Sequence, residues 1–225
     1  YDTTRWVWHT QTTIFNQKGV ELENKDPLNR YNAALYGYNE TLPIALVQNS
    51  QYREAAFEGF EDYGFATSIC DTGCPMNRHF DLSPYVSKIT SAERHSGKSS
   101  IRLNAFEQVG VTFKLVDLAE DTARSNLAIE TTTDACVSGT IVNAIRADST
   151  FIKPPFSPFA GRKMVVSAWV KEAQECNCST YVYNQIRVLS SGGTGSEVIL
   201  KPTGTIIEGW QRYEKMMTVP PTATE

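Results

Sequence analysis

Apolar residues return at every second position through most of this chain, the period of a half-buried strand. Over Lys163–Glu172, Met164, Val166, Ala168 and Val170 take one side, and Val165, Ser167, Trp169 and Lys171 take the other. Gly110–Val116 sets Val111, Phe113 and Leu115 against Thr112 and Lys114, and Ser100–Ala105 sets Ile101 and Leu103 against Arg102 and Asn104. Tyr181–Ser190 carries Val182, Ile186 and Val188 on its inner side, and Glu197–Leu200 and Gln211–Val219 complete the set. Gly, Pro, Asn and Ser punctuate these runs. Helical spacing occurs only over Val116–Ala123, and briefly. Many short strands with turn chemistry between them predict an all-β sandwich or barrel.

The pattern breaks near Asn49–Arg53. Upstream, the Asn- and Thr-rich Tyr1–Gln48 stretch predicts two or three hairpin strands. Their turns are expected at Asn16–Gly19, Asp26–Asn29 and Tyr38–Thr41, where Asn, Asp and Gly satisfy tight backbone geometry. So small a unit buries little apolar surface alone and must stack on a neighbour. Downstream, the core-forming strands predict one larger unit. Pro154-Pro155 and Gly192-Gly193 read as internal loops, because strand patterns resume on both sides.

With 225 residues the chain is long enough to fold around its own core. A formal net charge of -4 without Lys/Arg blocks argues against nucleic acid or an anionic membrane as partner. No apolar run approaches the ~20 residues of a membrane-spanning helix. The start at Tyr1, without Met or a signal-peptide pattern, predicts a fragment or processed product. Five cysteines lie in polar, turn-rich stretches: Cys70, Cys74, Cys136, Cys176 and Cys178. Cys70 and Cys74 flank a Gly-containing turn and are candidates for a disulfide, which an exported context favours. A zinc site drawing on His79 is the weaker reading, since the spacing matches no zinc knuckle or ribbon.

Three downstream segments resemble the carbohydrate-binding-module type of jelly roll found in secreted bacterial proteins. They are Phe57-Glu58-Gly59-Phe60-Glu61-Asp62-Tyr63, His95-Ser96-Gly97-Lys98-Ser99-Ser100-Ile101-Arg102-Leu103, and the pair formed by 158–171 and Glu208-Gly209-Trp210-Gln211-Arg212-Tyr213. The first 50 residues, with Phe15-Asn16-Gln17-Lys18-Gly19, Asp26-Pro27, Tyr31 and Tyr36-Gly37-Tyr38-Asn39, resemble degenerate YD (RHS-type) repeats. The conjunction is similar to giant type IX-secreted surface proteins of gliding bacteria. The resemblance implies a YD-like hairpin segment over 1–50 and a jelly-roll β-sandwich over 51–225. It also implies a closing strand with an acidic residue after Pro220–Glu225, and hence an unpaired edge here.

The same resemblance implies a structural Ca²⁺ held by Glu61 with main-chain carbonyls of Gly97 or Lys98; otherwise Glu61 and Asp62 face water or pair with Arg94. A second candidate comes from the strand pattern. If 163–172 and 181–190 form a hairpin, Trp169, Tyr181 and Tyr183 share a face with Lys171, Gln185 and Arg187. Such an aromatic and polar patch suits a glycan, although outer-face aromatics also pack under loops or against a neighbouring unit. Catalytic constellations are not evident. His9, His79 and His95 sit in unrelated contexts, and Ser138-Gly139 and Ser191-Gly192 lack a nucleophile elbow. Glu61/Asp62 and Glu120/Asp121 are adjacent, so on a strand they point to opposite faces. Gly192–Ser196 lacks the Lys-Ser/Thr ending of a phosphate loop.

The expectation is a non-catalytic structural or adhesive module of a large secreted or cell-surface bacterial protein. Its expected partners are the rest of a parent chain, other surface proteins or secretion machinery. The alternatives are an active carbohydrate-binding module, or part of a glycoside hydrolase or toxin-encapsulating shell.

Overall fold

The computed structural model describes residues 7–16, 18–64, 78–115, 127–133, 136, 139–147, 156–173, 178–191 and 196–225. The expected helical turn at Val116–Ala123, Cys70 and Cys74, Pro154-Pro155 and the Gly192-Gly193 tip lie outside these residues. The protein is all-β, built of antiparallel sheets. Among the described residues no helix is long and apolar enough to cross a membrane.

The first sheet is a four-stranded meander of β1 (Gln11–Phe15), β2 (Glu21–Lys25), β3 (Tyr31–Gly37) and β4 (Leu42–Gln48). All three expected turns are present, and they join four strands rather than two or three. Asn16 Oδ1 accepts from the amides of Lys18 and Val20 at 3.0 and 2.8 Å, closing the first. Asp26 Oδ1 does the same for Leu28 and Arg30, at 2.8 and 3.0 Å. Chiefly through the Arg30 amide, these bonds hold the Asp26 carboxyl below its usual range. In the third turn Tyr38, Asn39 and Glu40 are all left-handed, with φ of 54, 58 and 56°. Each such residue costs about 1–2 kcal/mol without a compensating partner. Asp62 supplies one, accepting from the Asn39 amide at 2.7 Å.

Leu22, Ala33 and Leu35 of this sheet close over Tyr52 and Ala55 of the connector that follows. A short 3₁₀ turn at Tyr52–Glu54 stitches the connector to both sides. The buried Glu23 carboxylate accepts from the Tyr52 amide at 2.7 Å and the Thr13 hydroxyl at 2.6 Å. On the downstream side, Arg53 Nε donates to the Ser157 carbonyl at 2.9 Å, and the Ser157 amide donates to the Arg53 carbonyl at 2.8 Å. The Arg53 guanidinium lies 4.1 Å over the buried Phe159 ring, with Arg162 against the same ring at 5.0 Å. Arg162 also pairs with Glu54 at 3.2 Å.

Downstream come β5 (Ile89–Thr90), β6 (Ser100–Ile101), β7 (Leu127–Thr133), β8 (Thr140–Ala147), β9 (Lys163–Val170), β10 (Ile186–Ser190), β11 (Ser196–Ile207) and β12 (Trp210–Thr218). β5 pairs with β6 and β7 with β8, while the largest sheet has the order β10-β11-β12-β9. Glu208 and Gly209, with φ of 51 and 82°, make the two-residue turn between β11 and β12. The inner row of β9 is the predicted one, Met164, Val166, Ala168 and Val170. Val166, Val170, Ile186, Val188 and Ile206 pack around buried Tyr181, Leu200 and Tyr213. Gly110–Val116, by contrast, is not a ladder strand over its described residues. Its alternation is real, since Val111, Phe113 and Leu115 are the half-buried positions, but among the described residues no strand pairs with it.

Two expectations follow. Leu200→Ala should cost about 2–5 kcal/mol in urea unfolding, against at most about 0.5 for the outward Leu189→Ala. The second concerns His79, whose ring packs 5.5 Å from Tyr52 and whose Nε2 is buried without a partner. Burial pushes its pKa down from 6.5 to about 4. The unfolded chain therefore takes up a proton that the fold refuses, and stability is lost as pH falls from 6.5 through about 4. Thermal melts across that window should fall more steeply for the native chain than for His79→Phe; parallel curves would contradict this.

Candidate functional site

The aromatic and polar side chains expected to form one outer patch are distributed by the strand order. β9 and β10 are opposite edges of the sheet, with β12 and β11 between them. The expected hairpin between 163–172 and 181–190 is thus absent. Three strand spacings, about 14 Å, separate the line of Trp169 from that of Arg187. Of the intervening chain, residues 180–184 lie against Gln211 and Glu172, at the β12 and β9 end of the sheet.

Two buried side chains fix this stretch. Gln211, only 1% exposed, accepts from the Tyr181 amide at 2.8 Å and donates to the Gly204 carbonyl at 2.9 Å. Buried Glu172 accepts from the amides of Tyr183 and Asn184, both at 3.1 Å. Residues 180–184 are consequently a loop, and the strand begins only at Ile186. Freed from strand alternation, Tyr181 turns inward to 6% exposure, and its hydroxyl donates to the Gly209 carbonyl at 2.7 Å. Val182, expected inside, is exposed. Tyr183 is 72% exposed on the loop. Gln185 and Arg187 bond each other at 2.8 Å, and Arg187 also pairs with Glu197 at 3.4 Å.

Trp169 sits in different company. Its ring, 41% exposed, stacks on His95 with centroids 4.1 Å apart and planes 18° from parallel. Trp210 meets the same imidazole edge-on at 5.6 Å. Lys171 pairs with Glu93 at 2.7 Å and lies over Gly209, where a Cβ would come within 3.1 Å of its Cε. His95 and Glu93 thus dock the 93–99 turn onto the outer edge of β9. The sequence carried no sign of these contacts, since more than seventy residues separate the partners. One face of the Trp169 ring, the surface a sugar would need, belongs to His95.

The chain matches no family model, no curated protein and no solved structure.

The expected calcium ligands meet in a distinct way. Glu61 Oε1 accepts from the amides of Lys98 and Ser99, the latter at 2.9 Å. A Cβ at Gly97 would stand 2.3 Å from that oxygen, so only glycine allows the carboxylate to sit over the turn. Oε1 therefore meets two N–H groups, whereas Ca²⁺ is held by oxygens. Glu61 and Asp62 point to different loops: Glu61 to the 97–99 turn and Asp62 to the left-handed 38–40 turn. Together they are anchors, one for each half of the chain. Among the described residues, no three His, Cys, Asp or Glu side chains gather at metal-binding range. Cys178 is disulfide-bonded, and Cys136 is exposed.

A carboxylate accepting two amides makes charge-assisted bonds, so Glu61→Gln should lower stability by about 1–3 kcal/mol. That loss is expected to be equal in a chelator and in excess calcium, as read by urea unfolding. A loss appearing only with calcium present would assign Glu61 to the metal.

Proposed function

We propose that this chain is a non-catalytic β-sandwich module of a large secreted or cell-surface protein, serving as a rigid structural spacer. In this reading residues 1–50 are a YD-like hairpin segment and the rest is a jelly roll of the carbohydrate-binding-module type. The observation that carries it is the stitched connector. Within three consecutive residues after the first sheet, Tyr52–Glu54, the connector bonds back to that sheet through one residue and forward to the 157–162 segment through the next two. Tyr52 is held by Glu23, Arg53 by Ser157 and Phe159, and Glu54 by Arg162. Glu61 and Asp62 repeat the device ten residues on. A module that transmits orientation along a surface protein needs such a joint, because a loose linker would let its two halves turn independently.

The would-be binding groups support the same reading. Tyr181 is in the core, Trp169 is engaged by His95, and Lys171 is engaged by Glu93. Their placement holds the sheet edges and loops to one another.

The test is to loosen the joint. The native chain should unfold in one cooperative transition, with a radius of gyration in solution fitting one body. Arg53→Ala should cost about 1–3 kcal/mol and split the unfolding into two steps. A glycan array should show no signal that depends on Trp169. Two transitions in the native chain would defeat the spacer reading. Glycan binding lost on Trp169→Ala would replace it with the carbohydrate-binding one.

A further inference from the structure

Just beyond the connector lies a half-buried carboxyl that no contact described above employs. Glu58 Oε1 accepts from the Phe60 amide at 2.6 Å, and its Oε2 lies 3.0 Å from the Tyr63 hydroxyl. That hydroxyl has two further neighbours. The Leu82 amide donates to it at 3.1 Å, and the Phe80 carbonyl faces it at 3.2 Å. Among the described residues no other group donates to the Phe80 carbonyl.

Tyr63 thus stands against one donor and two acceptors. A phenol has a single hydrogen to give and accepts through two lone pairs. With Glu58 ionised, two oxygens compete for that hydrogen and one goes without, while a lone pair of Tyr63 faces no donor. With Glu58 protonated the count closes. The carboxyl O–H donates to the Tyr63 oxygen, the Tyr63 O–H donates to the Phe80 carbonyl, and the Leu82 amide fills the second lone pair. Tyr63 keeps its hydrogen throughout, since burial pushes its hydroxyl further above its usual range. The surroundings also favour a neutral carboxyl. Burial pushes Glu58 above the ordinary 4.5, against the pull of the Phe60 amide and the Tyr63 hydroxyl. The Asp62 charge adds to the rise, and Arg78, whose guanidinium lies 4.3 Å over the Tyr63 ring, opposes it. These are the charged groups facing Glu58 among the described residues. The segment at the far end is a packed one: Phe80 meets Phe156 edge-on at 5.5 Å and Phe113 at 6.2 Å, and Leu82 is buried.

We propose that Glu58 is a proton-operated fastener between the 58–63 segment and the 80–82 segment. Taking a proton from solvent, it turns the Tyr63 hydrogen onto Phe80 and completes a relay of hydrogen bonds. Returning the proton, it draws that hydrogen back and the hold on Phe80 is dropped. The folded chain keeps this proton at a pH where the unfolded chain has lost it. The contribution is therefore full below 4.5 and disappears as pH rises through the folded value. His79 acts in the opposite sense. Neither the Tyr52–Glu54 bonds nor the first sheet takes part, so the device stands or falls apart from the spacer reading.

Carbon-13 NMR of the intact chain tests this by following the Glu58 carboxyl carbon against pH. Its midpoint should stand above 4.5, and the Leu82 amide proton should shift with the same midpoint. In Tyr63→Phe that Leu82 shift should vanish while the carboxyl still titrates. Glu58→Gln copies the protonated pattern, since its NH₂ donates to Tyr63 and its oxygen accepts from Phe60. Its folding constant relative to the native chain, read by urea unfolding, should rise between about pH 4 and about pH 7. The rise should be about tenfold for each unit by which the Glu58 midpoint exceeds the ordinary value. His79 is present in both chains and cancels. A Glu58 midpoint at or below 4.5 would overturn the proposal, whether or not the variants fold. So would a ratio that is constant or falls with pH, the mark of a carboxylate serving structure alone, or a Leu82 response unchanged in Tyr63→Phe.

Discussion

The arrangement rests on a buried carboxylate held by hydrogen bonds. Glu23 lies inside the first sheet and is satisfied by a hydroxyl and by the amide of Tyr52, the first residue of the connector. A buried charge that loses a hydrogen-bond partner is expensive, so the connector is bound to the sheet as firmly as the sheet is to itself. That fixes Tyr52 as the lid of the first core and sets Arg53 facing the other way. The downstream unit then docks on a guanidinium already in position, through Ser157 and the Phe159 ring. From the first sheet to the segment before β9, polar contacts with definite directions run alongside the apolar packing of Tyr52 and Ala55 and fix the orientation.

A second constraint governs the largest sheet. Buried Gln211 and Glu172 hold five consecutive residues, 180–184, out of strand geometry. This lets the chain leave one edge of the sheet at β9 and re-enter at the opposite edge as β10. Side chains close in sequence are thereby carried far apart, and Tyr181 becomes a core residue. Conversely, His95, Trp169 and Trp210 come from three separate segments to one cluster.

What the sequence made legible was local. The Asx-type turns at Asn16 and Asp26 are decided by a side chain reaching amides two and four residues on, so their signature is contained in four letters. The two-residue period of β9 is likewise written in the strand itself. Neighbour choice is not. Nothing within Lys163–Glu172 states that its partner is β12, and the nearness of 181–190 in sequence pointed to the wrong one. β7 and β8 gave little warning because the Thr-rich end of β7 is exposed and carries no inward row. The alternation over 110–116 predicted a strand; over 111–115 it does mark one half-buried side, but whether such a segment joins a ladder depends on what lies beside it. Of the candidate site residues, the pairing of Glu61 with the 97–99 turn came from the resemblance, while the atoms that meet there are amides.

The turn at Tyr38–Glu40 gives the joint an asymmetry. Three consecutive residues wind in the disfavoured hand, and a carboxylate from beyond the connector grips the middle one. Such a coil is a latch under tension. Because Asp62 belongs to the chain beyond the connector, the middle of this hairpin turn is shaped in part by a residue outside the sheet it closes, and its winding is tied to where the connector lies.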